Sequence, residues 1–115
     1  MSFEKKAVTI DFSPTFLKRF KILSKRYLSL AYDLEGLVDS LKENPMQGAD
    51  LGHGLRKVRM AIASKGKGKS GGARVITYTV FLLTEGRLRL LTLYDKSDRD
   101  NLSDKELMDL IEPND

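Results

Sequence analysis

The chain has 115 residues, 41% of them hydrophobic, and a formal net charge of +4. That is the size of one ordinary domain, residues 1–115, with enough apolar content for a single core and too much for a disordered chain. The absence of cysteine excludes a disulfide framework, a thiol nucleophile and a cysteine-ligated metal.

The opening residues, MSFEKKAVTI, carry no long apolar core of a signal peptide, and no stretch approaches the roughly eighteen apolar residues of a membrane span. A soluble cytoplasmic protein with no membrane partner is therefore expected. The charge is uneven. Residues 51–99 hold eleven Lys/Arg against three acids, a balance of +8 that leaves −4 for the rest of the chain. A cationic centre between acidic ends points to a polyanionic partner for the centre.

In chain order, Ala7–Phe12 alternates apolar and polar residues and reads as a strand. Ser13-Pro14 announces a helix, with Ser13 as cap and Pro14 at the first helical position. Phe16, Leu17, Phe20, Leu23 and Tyr27 follow at helical spacing and form its apolar stripe. After a phase shift at Leu28-Ser29, Leu30, Leu34, Leu37, Val38 and Leu41 mark a second amphipathic helix ending near Asn44-Pro45. Met46–Gly54 reads as a glycine-rich loop.

The central stretch reads as two strands, Leu55–Ile62 and Ala73–Val80, joined by the lysine–glycine loop Ser64–Gly72. No acid occurs from Gly54 to Thr84. Phe81-Leu82-Leu83 extends the second of these strands, Thr84-Glu85-Gly86 turns, and Arg87–Tyr94 is the next strand. Leu88, Leu90 and either Leu91 or Leu93 face the core. Ser103 and Glu106 make a capping box for a short C-terminal helix, Asp104–Ile111. The expected class is α+β: two helices from the N-terminal half packed on an antiparallel sheet of about four strands, and a short C-terminal helix.

The lone histidine, His53, is poor support for a metal site, and Asp95, Asp98 and Asp100 lack the spacing of a cation-binding loop, so a solvated turn is expected there. Gly68-Lys69-Ser70 is reminiscent of a phosphate loop, but Ala63 stands where that motif needs glycine and a strand follows. The cations remain. Lys57 and Arg59, two apart on a strand, share a face, and Arg74 and Lys96 could converge on it. Such a cluster can neutralise a phosphorane and its leaving oxygen. Arginine will not act as a base, and a lysine would need its pKa of about 10.4 lowered by roughly three units, about 4 kcal/mol. On these residues alone, nucleic-acid binding and catalysis fit alike.

Three separated stretches, GLRKVRMA, KGKSGGARVITY and LLTLYDKSDRDNLSDKEL, resemble the RelE-type toxins of bacterial type II toxin–antitoxin modules, in the RelE/ParE superfamily. The likeness is closest to the HigB-like branch and runs from about Ala7 to Ile111. It implies the RelE-like fold and a ribosome-dependent mRNA endonuclease that cuts in the decoding site. Cleavage would proceed by attack of the RNA 2′-hydroxyl, inhibit translation and need no metal or cofactor. The partners implied are a cognate antitoxin, the ribosome and mRNA.

By position, the resemblance makes Lys57, Arg59, Arg74 and Lys96 the catalytic set. Lys57 or Arg59 would be base or transition-state stabiliser, Arg74 the phosphate clamp, and Lys96, where the family often has arginine, a stabiliser or leaving-group acid. Arg56, Lys65, Lys67 and Lys69 would contact RNA and Tyr94 would stack on a base. Some members carry a C-terminal tyrosine or histidine where this chain has Leu102. The alternatives are a ParE-like toxin that inhibits gyrase and cuts nothing, and a degenerate member that only pairs with its antitoxin.

Overall fold

The structure, a computed structural model, describes residues 7–111. Among these, no helix is long and apolar enough to cross a membrane. The sheet is built from β1 (Thr9–Phe12), β2 (Ala49–Gly52), β3 (Leu55–Met60), β4 (Ala73–Tyr78) and β5 (Arg87–Asp95), in the order β1-β5-β4-β3-β2. The helices α1 (Pro14–Ser24) and α2 (Leu30–Glu43) come from the N-terminal half, and α5 (Asp104–Ile111) closes the described chain. Three short helical turns interrupt the loops: a 3₁₀ turn at Ala63–Lys65, α3 (Gly68–Gly71) and α4 (Leu82–Glu85).

The expected helix starts are present. The Ser13 hydroxyl accepts from the Phe16 amide at 3.0 Å and donates to the Leu91 carbonyl at 2.8 Å, so the α1 cap is also stapled to β5. At α5, the Glu106 amide donates to Ser103 Oγ and the Ser103 amide donates back to Glu106 Oε1, a complete capping box. α1 buries Phe16 and Leu23, and α2 buries Leu30, Leu37 and Leu41. These pack on Val58, Met60, Val75, Leu88, Leu90 and Leu93 to form the main core on one face of the sheet. Leu55, Ile76 and Leu91 point to the opposite face, where Leu107 of α5 covers them. A register shift between β4 and β5 at Ile76/Thr77 sends Leu91 to the second cluster and Leu93 to the main core.

The α+β architecture is the expected one, with three local differences. The sheet has five strands and is mixed, because β1 pairs with β5 in parallel while the other neighbours are antiparallel. A parallel pair needs a long connection, and here that connection runs from Ser13 to Gly86, about two-thirds of the chain. Second, Met46–Gly54 is not all loop: it contains edge strand β2 and a turn in which Gly52, His53 and Gly54 all have positive φ. Third, Phe81–Leu83 does not extend β4. The chain leaves the sheet after Tyr78 and makes α4, capped by Gly86 in the left-handed region, with Leu83 almost fully exposed.

Gly72 sits where the chain enters β4 beside the end of β3. A Cβ there would lie 2.2 Å from the Met60 carbonyl oxygen and 3.0 Å from Ala61 Cα. Backbone atoms cannot yield as a side chain can. Gly72→Ala is therefore expected to destabilise the protein by about 1–3 kcal/mol, seen as a lowered Tm in a thermal melt; an unchanged Tm would contradict this packing.

Candidate active site

Strand alternation builds the site. Val58 and Met60 of β3 point into the main core, so Leu55, Lys57 and Arg59 point to the other face. Register aligns Arg59 with Arg74 of β4, and Arg74 with Tyr94 of β5, placing three large polar side chains in one row across three strands. Lys96 follows two residues past Tyr94, and its amide donates to the Gly72 carbonyl at 3.0 Å, which holds it beside the start of β4.

The result is an open cleft of about 680 Å³ lined by Lys57, Arg59, Lys69, Arg74 and Lys96, with Asp100 and Asn101 on its rim. All four residues carried over as catalytic thus line one concavity, on the face away from α1 and α2. Lys69 joins them because α3 folds the lysine–glycine loop back toward the sheet. Five cations and one carboxylate share this space, an environment suited to a phosphodiester.

The cations are not equally free. Arg74 is buried, only 4% of the residue being exposed. Its Nη1 donates to the carbonyls of Lys69 and Ala73, each at 3.1 Å, and Nη2 to that of Ser70 at 2.9 Å. Arg74 thereby fixes the loop that carries Lys69 as well as charging the cleft floor. Lys57 Nζ donates to Asn101 Oδ1 at 2.6 Å and Lys96 Nζ to Asp100 Oδ1 at 2.7 Å. Lys96 hydrogen-bonded to Asp100, with the Lys57 and Arg74 charges nearby, holds the Asp100 carboxyl below its ordinary range.

Other sequence-predicted contacts lie elsewhere. Arg56 alternates onto the opposite face from Lys57 and Arg59, where Nε and Nη2 donate to the carbonyls of Gln47 and Gly48. It holds the approach to β2 and does not enter the cleft. Lys65 is also withdrawn: Nζ donates to Asp95 Oδ1 at 2.6 Å and to Ser97 Oγ, leaving its side chain 9% exposed. The loop thus begins as an anchored segment. Lys67 is exposed on the loop outside the cleft lining. The Tyr94 ring packs with the second apolar cluster and its hydroxyl donates to the Asp100 carbonyl; burial raises its pKa.

Asp100 and Asn101 are the site residues that the sequence reading passed over, taking the aspartates after β5 for a solvated turn. Their signal is proximity along the chain, since only three residues separate Lys96 from Asp100 and any tight turn there must return to the strand end. Beneath them, Arg99 clasps Glu106 through both terminal nitrogens, at 2.7 and 2.8 Å, and ties this turn to α5. That clasp, with the Ser103 amide, holds the Glu106 carboxyl down at about 2.

The family model described as the RelE toxin of the RelE/RelB toxin–antitoxin system matches residues 33–112. The matched span starts within α2 and takes in β2 to β5, α5 and every residue lining the cleft. It covers more than half of the chain, so the protein belongs to the RelE toxin family: it is a toxin of a toxin–antitoxin module, whose counterpart is an antitoxin.

Proposed function

We propose that this toxin, acting as one domain over residues 1–115 and close to the HigB-like branch, is a ribosome-dependent mRNA endonuclease of the cytoplasm. The observation that supports the reading is the convergence of Lys57, Arg59, Arg74 and Lys96 on one cleft. An RNA 2′-hydroxyl attacks the adjacent phosphorus, the phosphorus–5′-oxygen bond breaks, and a cyclic phosphate and a 5′-hydroxyl result. The 2′ proton passes to water, with Lys57 and Arg59 stabilising the charge that develops. Arg74 and Arg59 neutralise the equatorial oxygens, and Lys96 protonates the departing 5′-oxygen. Each step is charge stabilisation or proton transfer that side chains of this cleft can perform. Lys69 and Lys67 contact flanking RNA. Arg56 and Lys65 are assigned structural tasks, as their hydrogen bonds describe.

Primer extension on mRNA bound to purified ribosomes stalled at chosen codons tests the proposal. A cut within the decoding-site codon, dependent on the ribosome and insensitive to chelators, is expected. Intact mRNA at every codon, with the protein folded, would overturn it. Lost supercoiling in a gyrase assay would then indicate the ParE-like activity, and no effect in either assay a member that only binds its antitoxin.

A further inference from the structure

We infer that Asp100 and Asn101 are specificity-determining residues that read a base with an exocyclic amino group beside the scissile phosphate. The inference rests on the nuclease reading of the same cleft. The five cations lining the cleft are donors only, and donors suit phosphate oxygens without telling one nucleotide from another. Asp100 and Asn101 add what the cations lack. Asp100 gives one oxygen to Lys96, and its second has no hydrogen-bond partner among the described residues; the side chain is 75% exposed. Asn101 gives its oxygen to Lys57, and its amide nitrogen likewise has no partner among the described residues. A free acceptor and a free donor thus stand side by side at the rim of a phosphate cleft.

A carboxylate here would repel a polyanion if it did nothing else. A counter-ion that swings aside would escape that cost, but this segment is held from three sides. The Tyr94 hydroxyl donates to the Asp100 carbonyl at 3.2 Å, Arg99 Nε donates to the Asn101 carbonyl at 3.2 Å, and Arg99 is clasped by Glu106. An acceptor and a donor on a held backbone, each side chain tethered to a cleft lysine, are what edge recognition of an unstacked base requires. Adenine and cytosine offer an amino donor beside a ring-nitrogen acceptor, and guanine offers two adjacent donors beside a carbonyl. Uracil has one donor, recessed between two carbonyl oxygens; the Asn101 amide can meet one of them, but the other still faces the carboxylate with like partial charge.

The test compares matched mRNAs on ribosomes, carrying A, G, C or U at each position of the decoding-site codon, cut by the wild-type protein, Asp100→Ala and Asn101→Ala. At one position the wild type is expected to favour amino-bearing bases over uracil by about tenfold or more in kcat/KM. Asp100→Ala is expected to reduce that ratio to within about twofold, and Asn101→Ala to reduce it in part. Thermal melts confirm that the exposed substitutions leave the fold intact. If Asp100→Ala changes the rate on all four bases by one common factor, Asp100 is a counter-ion and the inference is wrong while the nuclease stands. If the wild type cuts no codon, the nuclease reading falls and this inference with it.

Discussion

Arg74→Ala is expected to lower mRNA cleavage by at least about a hundredfold, the usual cost of removing one donor to a developing anion, and to abolish growth arrest in a protein that still folds. Two effects add. The substitution removes the charge at the floor of the cleft, in the row between Arg59 and Tyr94. It also releases the carbonyls of Lys69, Ala73 and Ser70, so the loop that presents Lys69 loses its fixed seat. The stability cost should stay near 1–3 kcal/mol, because two of the three carbonyls belong to the exposed residues Lys69 and Ser70, where water can replace the guanidinium. Arg74→Lys keeps the charge but not the planar fork, and should recover little activity. Single-turnover cleavage with a parallel thermal melt separates the effects, and a folded, fully toxic Arg74→Ala protein would remove Arg74 from the mechanism.

The largest loss of stability is expected at Asp95. Its side chain is fully buried and accepts from Arg26 Nη1 at 3.0 Å, Lys65 Nζ at 2.6 Å, the Tyr27 hydroxyl and the Ser97 amide. Burial alone would raise its pKa; the donors Lys65, Tyr27, Ser97 and Arg26 outweigh that and hold the carboxyl well below its ordinary range. Asp95→Ala leaves the Lys65 ammonium buried beside no carboxylate, at a cost of about 3–5 kcal/mol, which urea denaturation would report. The acid response follows from the direction of the shift. A carboxyl with a folded pKa below its unfolded value of about 3.9 contributes fully above about pH 5 and loses that contribution as pH falls below about 4. The wild-type Tm should therefore drop more steeply between pH 5 and pH 3 than that of Asp95→Asn. Parallel curves would show that the carboxylate's charge is not what joins these elements.

Elements defined by local chemistry were legible in the sequence. The Ser13-Pro14 start of α1 and the Ser103–Glu106 box of α5 need only neighbouring residues, and both are in the structure. The convergence of Lys57, Arg59, Arg74 and Lys96 follows from alternation along strands whose bounds were nearly right. What needed a distant partner was not legible. β1 alternates like any strand, and nothing within it says that it runs parallel to β5. β2 is short, at the sheet edge, and has no apolar stripe to betray it. Lys65 looks like its neighbours Lys67 and Lys69 until Asp95, thirty residues later, is placed against it. Arg56 stands apart from the cleft for a local reason: neighbouring residues on a strand point to opposite faces.

The parallel pairing of β1 with β5 has a kinetic consequence. Thr9 lies opposite Arg87, so bringing the two strands together closes a loop of nearly eighty residues. For a flexible chain that costs about 4 kcal/mol in entropy. The antiparallel neighbours β2 to β5 close much shorter spans, and with their connecting segments and the Asp100 turn they contain every cation of the cleft. The cheaper order of assembly therefore forms the cationic face first and docks β1 last. Substitutions in β1 would then accelerate unfolding more than they slow folding, and the seam between the first and last strands sets how long the toxin persists once formed.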